Sequence, residues 1–361
     1  MELQDSAMQR IMPERLYSFC VQAMVRAGLR EEDARTTAEV LVTTDTWGTF
    51  THGTKHLRDY LAKVRTGGID PQAVPEIVEE GPAWAMIDGH AAIAMVSACM
   101  AMQTAIRKAN TTGVAYVGVR HSTHFGAAGY YASMAVKENL IGLAMSNADP
   151  NMTAPGSRGS VIGNNPFAFA VPAGKEPPVL LDIAMSTVAG GKVMAARELG
   201  KSIPETWLVD AEGIPTSDYS IWPAAGSLQP MAAHKGFGLA LMIEVLAAVL
   251  TGAAFAEQVT SWILAPPSRT DTGHAFIVID PCKSMPMPNF KERMDRMITG
   301  IKQAPKAKGT ERIYLPGEME WERRDQALRQ GIEFPPDVIE SLTTLAGDWG
   351  LEIKELSEHL S

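Results

Sequence analysis

Cysteine is scarce in this sequence. Only three occur in 361 residues, Cys20, Cys99 and Cys282, and no two of them form a C-x-x-C pair. This spacing argues against a disulfide framework and against a zinc cluster built on cysteine. The opening MELQDSAMQR also lacks the basic segment and apolar run of a signal peptide. We therefore expect reduced thiols and a cytoplasmic protein.

Basic residues are fewer than acidic ones as well, with 32 Lys and Arg against 41 Asp and Glu. The formal net charge is -9, whereas a nucleic-acid-binding surface needs excess Lys and Arg to displace counterions. One apolar run, Phe237 to Ala256, has the length of a membrane span, but Glu244 lies inside it. We interpret this run as a buried helix. No nucleic-acid partner and no membrane partner are expected.

Several common catalytic signatures are missing. The nearest match to G-x-G-x-x-G, which begins Gly236-Phe237-Gly238, has Leu241 in place of the third glycine, so a standard Rossmann fold is disfavoured. The sequence also contains no Walker phosphate loop, no H-E-x-x-H and no G-x-S-x-G. Nucleotide hydrolysis, zinc proteolysis and serine hydrolysis are thereby disfavoured.

The pattern of apolar residues predicts helices at both ends and a mixed α/β body between them. We assign residues 1–72 to an N-terminal helical lobe, 73–317 to a mixed α/β domain that binds cofactor and substrate, and 318–361 to a C-terminal helical segment that packs with the first lobe. The predicted helices are Pro13 to Ala27, Glu31 to Val42, Ala92 to Ala109, Ala127 to Glu138 and Pro336 to His359, and the predicted strands are Val114 to Val119, Ile141 to Met145, Phe167 to Val171 and Phe276 to Ile279.

Histidine is the residue type that indicates chemistry. Four of the eight histidines fall in two short polar segments, residues 51–56 and 121–126. Imidazole changes charge near neutral pH, so it can give a proton to a developing alkoxide and take it back. We predict that His52 and His124 are catalytic. The alternatives are structural histidines that cap helices or bond within the core, and a metal site that uses His121 and His124. Metal-independent catalysis is preferred because no Asp or Glu adjoins the second segment.

Other polar segments suit a ligand. Asp149 and Asn164 lie in turn-forming segments that form either a polar wall around a substrate or simple tight turns. Residues 182–186 follow an apolar run and precede Gly190-Gly191-Lys192, where exposed backbone suits a ribose or pyrophosphate. Lys235 precedes the long apolar helix, so it lies either at a positive helix end that binds an anion or simply on the surface.

In order and spacing, these segments resemble the type-2 malate/L-lactate dehydrogenase family, which is unrelated in fold to the Rossmann-type lactate dehydrogenases. The resemblance implies a non-Rossmann, largely antiparallel mixed sheet, a helical lobe built from both chain ends, a homodimer, and NAD or NADP as cofactor. The matching segments are Thr51-His52-Gly53, His124-Phe125-Gly126, Gly163-Asn164-Asn165-Pro166, Asp182-Ile183-Ala184, Gly191-Lys192, Lys235-Gly236-Phe237-Gly238 and Leu315-Pro316-Gly317-Glu318.

The resemblance also implies roles for individual residues. His52 matches the proton donor of some members, and His124 matches the acid/base of others. The cofactor contacts map onto Ala148, Asp182, Ile183, Ala184, Lys235 and the turn Gly317-Glu318-Met319, to which we add His121 and Lys192 from the polar segments above.

Two departures from the family pattern concern the substrate. An arginine suited to a carboxylate usually stands four residues after the histidine of the first segment, and this chain has His56 there. Either Lys55 or Arg58 replaces it, or His56 is protonated, or the substrate differs. The second departure is Asn164, where the family shows threonine. We predict that the substrate-binding residues are Thr51, Lys55, His56, Asp149 and Asn164.

The sequence therefore predicts an oxidoreductase that transfers a hydride between NAD(P)H and a small 2-oxo or 2-hydroxy acid of the malate, lactate, ureidoglycolate or sulfolactate kind. Reduction of a cyclic imino acid, such as a piperideine or pyrroline carboxylate, is the alternative chemistry. An inactive relative that only binds the cofactor is the alternative of another class. The cofactor, the direction and the identity of the proton donor stay open.

Overall fold

The computed structural model describes residues 10–353 and Leu356. Most of the opening decapeptide and the last part of the helix predicted to reach His359 lie outside the described residues. The described strands are β1 Arg10–Ile11, β2 Glu76–Gly81, β3 Trp84–Asp88, β4 Val114–Ser122, β5 Ile141–Ser146, β6 Phe167–Val171, β7 Val179–Ile183, β8 Leu208–Val209, β9 Pro215–Thr216, β10 Ser227–Leu228, β11 Thr272–Ile279 and β12 Ile332–Glu333.

The helices flank these strands along the chain. The described part contains ten α-helices and, directly after the seventh, a π-helical turn over Val245–Val249. The α-helices are α1 Pro13–Arg26, α2 Glu31–Thr46, α3 Leu57–Thr66, α4 Ala94–Thr112, α5 Ala128–Lys137, α6 Gly190–Glu198, α7 His234–Glu244, α8 Met287–Lys302, α9 Glu318–Gln330 and α10 Pro336–Trp349.

The centre of the molecule is a seven-stranded sheet in the order β2-β3-β4-β11-β5-β6-β7. Of its strand pairs in the described chain, β3 with β4 is parallel and the others are antiparallel. Central β11 is buried along most of its length, as expected for a strand covered on both faces. This arrangement confirms the predicted α/β class with a non-Rossmann, largely antiparallel mixed sheet.

The two ends of the described chain meet. Strand β1 pairs antiparallel with β12, and α10 contacts both α1 and α3. Buried Phe19 and Leu16 of α1 share one core with Leu342 and Leu345 of α10. A second, smaller sheet, β10-β8-β9, accompanies a separate core around Met185 and Leu228.

The apolar run from Phe237 is not a fully buried helix, so this prediction is wrong. It forms α7 and the π-helical turn, and one face packs inward through Ala240, Ile243 and Ala247 while the opposite face is open. Apolarity alone does not distinguish a core helix from a helix with a second apolar face on the surface. The large exposed side chains are Leu239, Leu241, Met242, Val245, Val249 and Leu250.

We searched the described residues for a helix that is both long enough and apolar enough to span a bilayer. None meets both conditions.

Candidate active site

Buried Asp45 of α2 holds the first histidine segment. Its Oδ2 accepts hydrogen bonds from the Thr54 backbone N–H at 3.0 Å and from Thr54 Oγ1 at 2.6 Å. Gly53 packs so closely that a Cβ atom there would lie 1.8 Å from Asp45 Oδ1. Burial raises the pKa of Asp45 to about 7. The two 3₁₀ turns that carry His52 and His56 are therefore fixed against the core of the helical lobe.

Helix α10 supports the same segment from the other side. Ser341 Oγ donates to the Lys55 backbone oxygen at 2.7 Å, and Lys55 Nζ pairs with Asp337 at 2.5 Å. Arg58 likewise pairs with Asp348 at 2.9 Å. The first two lysine or arginine side chains after His52 are therefore paired with carboxylates of α10.

The fold brings the two predicted catalytic histidines together. His124 follows β4, and its ring centroid lies 5.6 Å from that of half-buried His52. Tyr60 of α3 bonds to His124 Nδ1 at 2.5 Å. Trp262 stacks on the His124 ring at 4.2 Å with an interplanar angle of 4°. His124 thus lies in an aromatic pocket whose walls come from three separate parts of the chain.

Burial and the neighbouring imidazoles determine the charge of the two histidines. Burial lowers the pKa of His124 well below its usual range, and nearby His52 and His56 lower it further. Burial, with a smaller effect of His56, lowers the pKa of His52 to about 4. Both imidazoles are therefore neutral at neutral pH.

The tautomer of His124 follows from its neighbour. Burial raises the pKa of Tyr60 well above its usual value, so its hydroxyl keeps the proton and donates to His124 Nδ1. The proton of a neutral His124 then resides on Nε2, which is a hydrogen-bond donor. Such an imidazole is prepared to give a proton to an oxygen that develops negative charge.

Sequence reasoning missed Tyr60 and Trp262. Tyr60 lies on α3 as one of several apolar or aromatic residues at helical spacing, and its contact with His124 spans 64 residues. Trp262 lies in an irregular segment between α7 and β11. Asp149 bonds to Ser261, which precedes Trp262, so this predicted substrate residue adjoins the aromatic pocket.

Most of the predicted cofactor residues form one group. The Leu180 backbone N–H donates to Pro316 O at 3.0 Å, and Gly317, at φ +93°, packs directly on Leu180. This contact places the turn 317–319 beside the first half of β7, the strand that ends with Asp182 and Ile183 and is followed by Ala184. Asp182 accepts from the Gly129 backbone N–H at 2.8 Å. The Glu318 carboxylate pairs with Lys302 at 2.7 Å and accepts a hydrogen bond from the Leu315 backbone N–H. Its role is therefore to stabilise the turn.

Two helix ends complete the group. The segments before α6 and α7 are hydrogen-bonded to each other, Thr187 N–H to Gln229 O at 2.8 Å and Met231 N–H to Met185 O at 2.9 Å. Exposed Lys192 and Lys235 stand in the first turns of the two helices. Paired helix N-termini with lysines attract phosphate groups. These residues fit the pyrophosphate of a dinucleotide.

Gly191 of α6 connects the two regions. A Cβ atom at Gly191 would lie 3.1 Å from Thr51 Cγ2, so the N-terminus of α6 meets the histidine segment. Thr51 Oγ1 in turn lies 3.0 Å from His52 Nδ1. The group that suits a dinucleotide is therefore continuous with the histidines.

Two predicted residues have other partners. His121 Nδ1 pairs with Asp88 at 2.8 Å, and its backbone N–H donates to Asp271 at 3.0 Å, at the edge of a separate cavity of about 260 Å³. Asn164 bonds to Asn151 at 3.2 Å and to Ser186 at 3.4 Å. His121 and His124 therefore contact different residues. Within the described ranges, no group of three or more His, Cys, Asp or Glu side chains is placed to hold a metal ion.

Comparison with known proteins gives a consistent result. The sequence profile of a family described as malate/L-lactate dehydrogenase matches residues 11–343. The chain is 35% identical to a malate dehydrogenase of Pyrococcus horikoshii over 95% of this chain and 96% of the relative. It is 33% identical to an NAD(+) ureidoglycolate dehydrogenase of Escherichia coli K12 (92% and 95%), and 32% identical to an NADP(+) (2R)-3-sulfolactate dehydrogenase of Chromohalobacter salexigens (91% and 96%).

Solved structures agree with the sequence comparison. The sulfolactate dehydrogenase from Methanocaldococcus jannaschii superposes with a TM-score of 0.89 at 34% identity, covering 97% of this chain and 100% of that one. The delta1-piperideine-2-carboxylate reductase from Pseudomonas syringae pvar. tomato superposes with a TM-score of 0.83 at 30% identity, covering 94% and 100%. The likeness therefore extends over nearly the whole chain in both sequence and structure.

Proposed function

The chain belongs to the malate/L-lactate dehydrogenase family, and from that premise we propose that His52 and His124 handle the hydroxyl proton in its reaction. It is an NAD(P)-dependent oxidoreductase of a small hydroxy acid. The proposal rests chiefly on the contact of the two imidazole rings at 5.6 Å, beside a region that fits a dinucleotide.

The cofactor and the histidines divide the chemistry. When bound, the nicotinamide supplies or accepts the hydride at C2 of the substrate. His124 Nε2–H donates to the substrate oxygen in the direction of reduction and removes the proton in the direction of oxidation. Tyr60 holds the His124 ring and its tautomer. His52, held by Thr51, lies within reach to act as the second proton-transfer group.

The residues proposed to hold the cofactor are those grouped at the end of β7 and at the two helix ends. The Ala148 backbone N–H donates to Asn165 Oδ1 at 3.1 Å, and the Ala148 carbonyl is the proposed contact with the cofactor. Exposed Asp182 suits a ribose hydroxyl, and Lys192 and Lys235 suit phosphate. The backbone of Ile183, Ala184 and the 317–319 turn forms the remaining wall.

For the substrate, we propose Thr51 and His56 as direct contacts and Asp149 as a polar wall. Lys55 and Asn164 stay predictions with weaker support, since Lys55 is paired with Asp337 and Asn164 with Asn151. A small carboxylate remains the proposed substrate class, in keeping with the acids named for the relatives.

Reduction of a cyclic imino acid is the second candidate. One observation favours it, the similarity to the piperideine-2-carboxylate reductase. In both reactions a hydride reaches the carbon that bears the carboxylate, and the group protonated is an oxygen in one and a nitrogen in the other.

A single screen tests these functions. The purified protein is mixed with NADH or NADPH and a panel of open-chain 2-oxo acids and cyclic imino acids, and the loss of reduced-cofactor absorbance is followed. We expect turnover with an open-chain 2-oxo acid and a clear preference between the two cofactors. Turnover only with cyclic imines supports the second candidate, and cofactor binding without any turnover contradicts both.

We further propose a homodimer in the cytoplasm. The exposed apolar face of α7 supports self-association, and all three cysteines are free thiols, as expected in a reducing compartment. We also retain the proposed division into residues 1–72, 73–317 and 318–361. The pairing of β1 with β12 and the packing of α10 on α1 support one lobe built from both ends.

A further inference from the structure

We propose that Glu244 is a positioning residue, which holds the turn that binds the nicotinamide end of the cofactor. The inference rests on the proposed function, because it takes the Ala148 carbonyl as a cofactor contact. Glu244 is the last residue of α7 and is only 3% exposed. Its described partners are two side-chain amides and one backbone N–H, with no lysine, arginine or histidine among them. An ion pair therefore does not explain this buried acid.

Three hydrogen-bond donors converge on the Glu244 carboxyl group. Asn165 Nδ2 donates to Oε2 at 2.6 Å, and the Ala256 backbone N–H donates to Oε1 at 2.8 Å. The Asn147 amide approaches Oε1 at 3.4 Å. A carboxylate accepts all three bonds, whereas a glutamine in either orientation would direct its own N–H groups at another donor. The position therefore requires an acid, and a side chain of the same shape does not replace it.

The two amides that Glu244 holds lie on either side of Ala148. Asn165 Oδ1 accepts a hydrogen bond from the Ala148 backbone N–H at 3.1 Å. The φ angle of Asn165 is +28°, a conformation that costs energy in a residue other than glycine and persists only where contacts fix it. Asn147 precedes Ala148 directly, and its Oδ1 accepts from the Gly273 backbone N–H at 2.9 Å. The orientation of the Ala148 peptide therefore depends on Glu244 through both asparagines.

Ala148 lies toward the reacting end of the site. Asp149, the next residue, bonds to the side chain of Ser261. Ser261 in turn precedes Trp262, whose ring stacks on His124 at 4.2 Å. We therefore infer that the Ala148 carbonyl meets the nicotinamide end of the cofactor and not its adenosine end.

Helix α7 keeps this contact apart from the phosphates. Lys235 lies in its first turn and Glu244 ends it, so the two are about 14 Å apart along the helix axis. Lys235 suits the phosphate groups of the cofactor. Loss of the Glu244 contacts is therefore expected to weaken binding of the nicotinamide end while phosphate binding is retained.

The test compares the dissociation constants (Kd) of two ligands in wild type and E244Q by calorimetry. One ligand is the reduced cofactor that wild type binds more tightly. The other is its fragment without nicotinamide, which is ADP-ribose for NADH or 2′-phospho-ADP-ribose for NADPH. We expect E244Q to raise the Kd of the reduced cofactor roughly 10-fold and to leave that of the fragment within about 2-fold of wild type. At saturating cofactor, kcat is expected to stay within roughly 3-fold of wild type, because Glu244 does not touch the reacting atoms.

Two further variants provide controls. K235M is expected to weaken both ligands by a similar factor, because both carry the phosphates. D280N is the matched control for a buried acid. Asp280 also accepts a backbone N–H, that of Cys282 at 2.8 Å, and it follows the opposite end of β11 from Gly273. Its substitution is expected to leave both Kd values at the wild-type level.

The link to Ala148 is tested through Asn165. N165A removes the acceptor of the Ala148 N–H and one donor to Glu244, so it is expected to raise the Kd of the reduced cofactor as E244Q does. The double variant E244Q/N165A is expected to raise it no further than the larger single effect, because the two residues act through one contact. N165A keeps the carboxylate and carries the same comparison where E244Q folds poorly.

Binding without substrate separates this inference from the proposed function. A wild type that binds the cofactor but turns over neither a 2-oxo acid nor a cyclic imine contradicts the proposed function, while the Kd ratio of E244Q still decides the inference. The inference is overturned by equal Kd for the reduced cofactor in wild type and E244Q, or by a matching loss of the nicotinamide-free fragment. Additive effects in the double variant, an equal loss in D280N, or a wild type that binds neither cofactor overturn it as well.

Discussion

Asp45 combines a structural role with an unusual ionisation. Its carboxylate holds Thr54 through two hydrogen bonds, and its Oδ1 is buried with no hydrogen-bond partner in the described chain. A charged, half-satisfied carboxylate in the core is costly, which is the physical reason that its pKa is raised to about 7. The residue that positions the histidine segment is therefore neutral in mildly acidic solution.

Asp45→Asn is predicted to change the pH dependence of stability. The folded-state pKa of about 7 lies above the ordinary aspartate pKa of 3.8, so the folded state binds this proton more tightly than the unfolded state. The tighter proton binding raises the free energy of unfolding by up to about 4 kcal/mol. This contribution is fully present below pH 3.8 and is lost as the pH rises through 7. Asparagine keeps the acceptor for Thr54 without the titration.

The measurement is urea unfolding of wild type and D45N across this pH range. We expect the free energies of unfolding to diverge with rising pH, with D45N the more stable at pH 8. Parallel curves for the two proteins would show that Asp45 is not protonated in the folded state.

At the scale of single residues, the sequence predicted His52 and His124 because their segments combine histidine with glycine and small polar residues. It did not predict Tyr60, Trp262 or Asp45. A tyrosine on a helix, a tryptophan in a loop and an aspartate in a buried helix each have ordinary structural explanations. Their roles arise from contacts between distant parts of the chain, which no local pattern encodes.

Among the elements, α3 links both walls of the aromatic pocket. Tyr60 bonds to His124, and Lys63, one turn later, donates to the Ser268 and Pro266 carbonyls of the segment that carries Trp262. Burial lowers the pKa of Lys63. A fully buried ammonium is retained only where its acceptors compensate for the lost hydration, so this helix determines where Trp262 lies.

Lys63→Met is predicted to release the Trp262 segment. Removing a buried charged hydrogen bond costs on the order of 1–3 kcal/mol of stability. Because part of this cost falls on the order of the Trp262 segment, which forms a wall of the pocket, we expect KM for the acid to rise roughly 3- to 10-fold. Trp262 fluorescence, isolated by subtraction of W262F spectra, is expected to become more accessible to acrylamide. Lys108→Met is the control, because Lys108 also donates to a carbonyl, Gly81 O, far along the chain from the pocket. Unchanged quenching in K63M, or an equal KM rise in K108M, contradicts the role of Lys63.

The elements themselves were predictable where apolar runs are short and bounded. The predicted strands at Val114, Ile141, Phe167 and Phe276 correspond to β4, β5, β6 and part of β11. Strand β2 carries three glutamates and is exposed, so no apolar pattern marks it. The π-helical turn and open face of α7 were missed because the run is apolar on all sides.

At the scale of the whole molecule, the exposed apolar face of α7 and the π-helical turn that follows it indicates an interface with another protein chain. Met242, Val245 and Val249 follow one another at helical spacing, and Val249 is 54% exposed. Monomeric proteins rarely leave such a continuous apolar surface in water. A second copy of the chain is the occupant we propose.

Val245→Glu is predicted to convert a dimer to monomers, since it places a charge at the centre of an apolar interface. The mass in solution is measured by light scattering after size exclusion. Leu328→Glu is the control, because Leu328 is similarly exposed on α9. We expect a dimer for wild type and L328E and a monomer for V245E. A monomeric wild type, or a V245E protein that stays dimeric, contradicts this interface.

The central claim, that His52 and His124 carry the proton of a nicotinamide-dependent reaction, is tested most directly by the turnover of H52A and H124A alongside their affinity for the reduced cofactor. We predict that kcat falls about 10²- to 10⁴-fold in at least one variant, with cofactor Kd close to wild type in both. Turnover near the wild-type rate in both variants, or loss of cofactor affinity that accounts for the whole effect, would contradict the claim.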